Sequence, residues 1–150
     1  MMRILEAEGV PYRVQYYDCE EFIDGLHTAD VLGNPYEQSF KTIVTVGHSH
    51  NYYVFVIPIA EEIDFKKAAA SVEEKSIELL PLKEVTNVTG YVRGGCTAVG
   101  MKKNFVTRID ETAILYDTIF VSGGHLGVTL EVNPEDWARV CNAQFADLTR

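Results

Sequence analysis

Cysteine is scarce in this chain and falls in no pattern. Cys19, Cys96 and Cys141 are an odd, widely spaced set without a Cys-x-x-Cys pair, which argues against a disulfide framework or a structural zinc site. Long apolar runs are missing too. The best candidate, residues 52–60, is strand-sized and interrupted by Pro58, far short of the ~20 residues that cross a bilayer as a helix. Residues 1–6 lack the apolar core of a secretion signal, so a cytoplasmic protein with reduced thiols and no membrane partner is expected. With no internal repeat, low-complexity tract or Pro/Gly/Ser linker, one domain over residues 1–150 is expected. Positive charge is also in short supply, with 13 Lys and Arg against 22 Asp and Glu for a net charge of −9. That balance argues against a DNA-coating protein, which needs a broadly basic surface. A local basic patch that receives a phosphate or a nucleotide end remains compatible with it.

What is present is glycine, concentrated in one place. Seven of the eleven glycines fall between Gly90 and Gly127. One cluster reads Thr89-Gly90-Tyr91-Val92-Arg93-Gly94-Gly95-Cys96-Thr97-Ala98-Val99-Gly100; the other, Ser122-Gly123-Gly124-His125-Leu126-Gly127, follows the apolar run Ile119-Phe120-Val121. Glycine lets main chain approach a ligand closely, so two glycine turns at strand ends predict a pocket walled by backbone amides. Between Val85 and Ile109 there is no acid, while Arg93, Lys102, Lys103 and Arg108 add four positive charges. A basic rim to that pocket is the expectation.

The remaining pattern is that of a globular domain, with 47% hydrophobic and 23% charged residues. A short helix over 1–9 is followed by a strand over 10–17 and a solvated acidic stretch over 18–24. About one helical turn is expected over 28–33. A hairpin joins strands 40–46 and 52–59 through the loop 47–51. Asp64 caps a helix over 63–70. A strand over 77–80 leads to Pro81 at the first position of a helix that ends near Asn87. Further strands are expected around 91–93, 106–109, 115–121 and 128–132. Asn133-Pro134-Glu135-Asp136 starts a helix running to about Cys141, and a last strand lies within 143–148. Many short strands with dispersed helices predict a mixed α/β (α+β) fold, whose largely antiparallel sheet curls like a barrel and is flanked by short helices. No glycine loop precedes a long helix, which rules out a dinucleotide fingerprint on context.

Few side chains stand out as chemistry. Lys41 opens the apolar strand Phe40-Lys41-Thr42-Ile43-Val44; there it can hold a phosphate or polarise an ester carbonyl, or simply guard a sheet edge. Taken alone, the pattern favours the edge. His48-Ser49-His50 could ligate a metal but lies in the hairpin loop with no third ligand nearby, so no metal is expected. Cys96 sits in the first glycine loop without an identifiable His–acid partnership, and a packed thiol is the simpler reading. Tyr91, Phe105, Tyr116 and Phe120 could stack a base, and their spacing reads equally as a strand-face core.

Three segments together carry a resemblance. Phe40-Lys41-Thr42 follows Leu32-Gly33-Asn34-Pro35; the stretch from Thr89 to Lys103 holds the first glycine cluster; Val121-Ser122-Gly123-Gly124 precedes Gly127 and Leu130-Glu131-Val132. In order and separation, and in the ending Ala143-Gln144-Phe145-Ala146-Asp147, the chain resembles the YbaK/EbsC family of aminoacyl-tRNA deacylases, related to the editing domain associated with prolyl-tRNA synthetase.

The resemblance implies a trans-editing deacylase that hydrolyses the ester of mischarged tRNA, such as Cys-tRNA(Pro) or Ala-tRNA(Pro). It implies no cofactor, the aminoacyl-tRNA 3′ end as substrate and prolyl-tRNA synthetase as partner. Lys41 matches the family's essential lysine, Tyr17 a pocket tyrosine, and Gly94, Gly95, Ser122, Gly123 and Gly124 the backbone walls. Cys96 and Thr129 join them in the substrate-binding set. In cysteine-specific members the substrate thiol attacks its own ester, so Cys96 need take no part. Four residues at three places depart from the family pattern. Thr129 stands where the cysteinyl-specific branch has an aspartate, Ala98 where the first loop has proline, and His125-Leu126 where a basic pair follows Ser-Gly-Gly. These departures motivate the other reading, a non-catalytic tRNA- or nucleotide-binding module of the same fold. They also imply weak tRNA affinity unless a synthetase presents the tRNA.

Overall fold

The computed structural model describes residues 2–92 and 95–150. Among these residues, eight strands divide into two sheets. The smaller has the order β1 (Tyr12–Tyr16), β7 (Val128–Val132), β6 (Ile119–Ser122), all antiparallel. The larger runs β4 (Ile77–Leu79), β2 (Phe40–Gly47), β3 (Tyr52–Pro58), β5 (Val106–Asp110), β8 (Gln144–Ala146). In it β2 pairs antiparallel with β3 and β4, whereas β3–β5 and β5–β8 are parallel. The mixed, largely antiparallel α/β character is therefore present. The barrel-like curl is not: each sheet is open, and among the described residues their backbones pair through the short parallel bridge between Ser39 and Phe120.

The hairpin forms where alternation predicts it, with Phe40 opposite Pro58 and Val46 opposite Tyr52. Its loop is held by the Gly47 N–H on Asn51 O at 2.8 Å. Helix α3 (Phe65–Ser71) starts at Asp64, whose carboxylate accepts from the Lys66 and Lys67 amides at 3.0 and 3.1 Å. Helix α5 (Pro134–Cys141) starts at Asn133, which accepts from the Asp136 amide at 3.0 Å. Both are side-chain acceptors for amides that a first helical turn leaves orphaned. Helices α1 (Met2–Ala7), α2 (Gly25–Leu32) and α4 (Leu82–Thr89) complete the set.

Several expectations are corrected. Tyr91 and Val92 are not in a strand, and Arg93 lies outside the described residues. The strand expected over 115–121 begins only at Ile119, because Glu111–Leu115 is a 3-10 helix capped by Asp110. Ile114 and Leu115 are exposed in it, so their hydrophobicity carries no strand face. Pro81 precedes α4 as its cap residue instead of occupying its first position. Asp24 lies at the start of a helix, where its carboxylate accepts from the His27 amide at 2.7 Å.

Among the described residues, three apolar clusters flank the larger sheet and the seam. One joins the small sheet to Phe40, Val56, Ile109 and the fully buried Trp137. A second packs Phe55 and Ile57 against Ala68 and Ala69 of α3. The third sets Val44 against Leu80 and Val85 beside α4. Where the sheets meet, the Gln38 side-chain amide donates to Thr118 O at 2.7 Å, and Ile59 N–H donates to Ser39 O at 2.9 Å. Among the described residues no helix is long and apolar enough to cross a membrane.

Candidate active site

The seam between the sheets holds a cavity of about 500 Å³. Lys41, Thr42 and Ile43 of β2 line it, as do Phe120 to Ser122 of β6 and Val128 and Thr129 of β7. The start of α2 and the residues around α4 contribute further walls, and Tyr17 and Cys96 complete the lining. Most of these groups are apolar. Among the described residues, Lys41 and Asp24 are the only charged side chains in the lining.

Lys41 is held by its neighbours without being neutralised by them. Its Nζ donates to the carbonyl oxygen of Ile59 at 3.4 Å, which uses one long bond of the three an ammonium can make. No carboxylate among the described residues lies within ion-pair distance of it. Burial pushes its pKa below the ordinary lysine value, and the more distant Glu62 and Asp24 carboxylates oppose that shift. Glu62 is itself paired with Arg150 at 3.1 Å. Asp24 therefore stands as the acid facing the cavity.

The position of Asp24 follows from close packing. A Cβ on Gly25 would sit 2.9 Å from Cγ2 of Ile59, so glycine lets α2 begin against the residue whose carbonyl takes Lys41 without displacing its side chain. The other end of α2 is tied to β1. After the left-handed cap Gly33, the Asn34 and Gln15 amides exchange two hydrogen bonds at 2.8 and 3.0 Å. Thr129 lies opposite both Gln15 and Ser122 in the small sheet and is 7% exposed. Tyr17 is fixed by its own amide, which donates to Gly127 O at 3.0 Å.

Of the residues singled out in the sequence, Lys41, Tyr17, Cys96, Ser122 and Thr129 meet in this one cavity. Gly95, Gly123 and Gly124 do not line it, and Gly94 lies outside the described residues. The amides of those three glycines are already used. Gly95 N–H donates to Val92 O at 3.0 Å, Gly123 N–H to Val128 O at 2.9 Å, and Gly124 N–H to the Ser122 hydroxyl at 3.3 Å. The glycines serve contact instead. A Cβ on Gly95 would lie 3.3 Å from the His125 Cα, and one on Gly123 only 2.4 Å from Val128 Cγ1. The two glycine turns thus pack on each other and place Cys96 and Ser122 at the cavity, without presenting these amides to it.

Among the described residues the expected basic rim is likewise not gathered there, and Arg93 lies outside them. Lys102 donates to Asn87 O at 3.2 Å, and Arg108 Nε to Ser71 O at 3.2 Å; neither lines the cavity. His48, His50 and His125 are all exposed. Burial pushes the Cys96 thiol up to about 11, so it is protonated at neutral pH and unsuited to nucleophilic attack. Of the four aromatics, Phe120 lines the cavity, Phe105 packs edge-on to Tyr52 at 5.8 Å, the Tyr91 hydroxyl bonds Val99 O, and Tyr116 packs on the core. The sequence reading missed Asp24, Thr28, Asn34 and the apolar floor. Only the N-cap preference of aspartate was available as a signal for Asp24, and the surrounding acidic stretch obscured it.

Known proteins of similar sequence and shape share this arrangement of elements. A model of the aminoacyl-tRNA editing domain matches residues 26–140. A protein of Enterococcus faecalis, provisionally named Cys-tRNA(Pro)/Cys-tRNA(Cys) deacylase EbsC, is 40% identical over 149 residues, which is 99% of this chain and 91% of that relative. Two crystal structures superimpose over 99% of the chain. One, described provisionally as a trans-editing enzyme for prolyl tRNA synthetase, has a TM-score of 0.86 at 24% identity over 94% of its length. The other, a hypothetical protein, has a TM-score of 0.90 at 21% identity over 98% of its length.

Proposed function

The chain belongs to the aminoacyl-tRNA editing domain family, and from that premise we propose that residues 1–150 form one trans-editing domain in which Lys41 faces the carbonyl oxygen of an aminoacyl ester and Asp24 its α-ammonium. The protein is an aminoacyl-tRNA deacylase. Its substrate is the 3′ end of a tRNA carrying a small uncharged amino acid, cysteine or alanine on tRNA(Pro). It works in the cytoplasm, where prolyl-tRNA synthetase presents the mischarged tRNA.

The observation that carries this reading is a half-buried ammonium with spare donors, facing a mostly apolar cavity of about 500 Å³. An aminoacyl ester is already activated, so catalysis needs chiefly position and charge stabilisation. Attack of a water oxygen on the carbonyl carbon moves negative charge to the carbonyl oxygen. Lys41 Nζ accepts that charge by donating a hydrogen bond. The ester C–O bond then breaks, and the ribose oxygen leaves with a proton as a hydroxyl. Asp24 receives the substrate α-ammonium, a role for which Thr129 has no charge. Tyr17, Ser122 and Thr129 shape the surrounding wall. A charged amino-acid side chain would find no partner among the apolar residues of the floor, which disfavours its burial.

The test is hydrolysis of tRNA(Pro) charged with cysteine, alanine or proline, with and without prolyl-tRNA synthetase. Release of cysteine or alanine, slower release of proline, and acceleration by the synthetase are expected. Failure to release any of the three contradicts the proposal.

A further inference from the structure

A shallow cleft beside the catalytic cavity has no role in the chemistry just described. It is walled by Tyr16, Tyr17, Asp18, Cys19, Leu126 and Gly127. Tyr17 and Val128 line both spaces, so the cleft adjoins the cavity.

Tyr16 stands out there by its exposure. The hydroxyls of Tyr12, Tyr36, Tyr53 and Tyr91 are each tied to an acceptor: Glu6, Asp30, Glu74 and Val99 O. Among the described residues the Tyr16 hydroxyl, like those of Tyr17, Tyr52 and Tyr116, has no such bond, and Tyr16 is 69% exposed at the end of β1. Its backbone is nevertheless fixed, because Tyr16 pairs with Val128 in the small sheet. The next residue is locked as well. Gly127 has a φ of 81°, and a Cβ there would lie 2.6 Å from Tyr17 O. An exposed ring on a paired strand end offers its face to a ligand from a fixed point on the backbone.

We propose that this cleft receives the unpaired nucleotide preceding the esterified adenosine, with its base stacked on Tyr16 and its exocyclic amine facing Asp18. The inference rests on the editing reading, which puts the terminal ester inside the cavity and sends the rest of the strand out past Tyr17. The cleft's lining holds one charged side chain, Asp18, so a phosphate is the wrong occupant. A base fits both features: aromatic rings bind any base face, and a carboxylate accepts from the N4 amine of cytosine, the base at that place in tRNA.

The test compares two substrates and adds a binding measurement. On aminoacyl-tRNA, Tyr16→Ala lowers kcat/KM at least about fivefold through KM, as loss of one base stack requires. On 3′-O-aminoacyl-adenosine, which lacks the preceding nucleotide, the rate ratio between wild type and variant stays near one. Tyr16→Phe keeps the ring and restores the tRNA rate. In NMR titrations, the trinucleotide CCA shifts the Tyr17 and Gly127 amides of the wild type more than adenosine does, and Tyr16→Ala removes the difference. An equal loss on both substrates, no loss on either, or identical CCA and adenosine shifts overturns the proposal. The titration reads the cleft even if no ester is hydrolysed, which separates its failure from that of the editing reading.

Discussion

Asp24 has two tasks that a single substitution can separate. It caps α2 through the His27 amide at 2.7 Å, and it lines the cavity that Lys41 faces. Asparagine caps a helix about as well as aspartate, so Asp24→Asn keeps the first task and removes the charge. The carboxylate is exposed, and a solvated ion pair contributes at most about 1 kcal/mol. A fall of about fivefold in kcat/KM on aminoacyl-tRNA, with an unchanged melting temperature, is the expected result. Cys96 makes the opposite prediction. With its thiol pushed up to about 11, roughly a thousandth is thiolate at pH 8. Iodoacetamide should therefore modify it far more slowly than a free thiol, and Cys96→Ala should retain deacylation. Tenfold loss in that variant would return Cys96 to the chemistry.

The elements that position these residues depend on contacts that sequence patterns signal unevenly. The 40–58 hairpin was legible because apolar alternation and a polar loop agree with each other. The α3 and α5 starts were legible because Asp64 and Asn133 are strong caps. The first turn of α2 was not, since Asp24 sits in an acidic run that reads as solvated surface. The exposed Leu115 misled for the converse reason: an apolar residue extended the apparent strand back into a 3-10 helix. The glycine clusters were legible as turns near the site. Gly95 and Gly123 let two turns pack, and the amides of Gly95, Gly123 and Gly124 bond within the protein. Gly123→Ala is accordingly a structural variant. Its Cβ would stand 2.4 Å from Val128 Cγ1 and 3.1 Å from Val128 O, and overpacking of this kind costs about 1–3 kcal/mol. Urea unfolding should show that loss; an unchanged midpoint would contradict the packing role.

At the scale of the whole molecule, two open sheets make the site by meeting. No local segment encodes the seam: it joins Gln38 to Thr118 and Ser39 to Phe120, about eighty residues apart in sequence. That separation is why the cavity floor was invisible in the sequence while its lysine was not. Charge acts at the same scale. The chain carries a net −9 and brings one cation, Lys41, to the cavity lining among the described residues. A protein that neutralises one or two phosphates of a single strand shows a log–log salt slope of about −0.7 to −1.4. Without synthetase, kcat/KM should follow such a shallow slope. A slope steeper than about −3 would reveal a phosphate-binding surface that this charge distribution does not provide.

The most direct measurement concerns Lys41 itself. Single-turnover deacylation of Cys-tRNA(Pro) and Ala-tRNA(Pro) is compared for the wild type and Lys41→Ala, with circular dichroism and melting temperature recorded for both. A native spectrum with at least a tenfold slower rate is predicted, because the ammonium would act on charge that develops in the transition state. Equal rates from two equally folded proteins would show that the ester is hydrolysed without it.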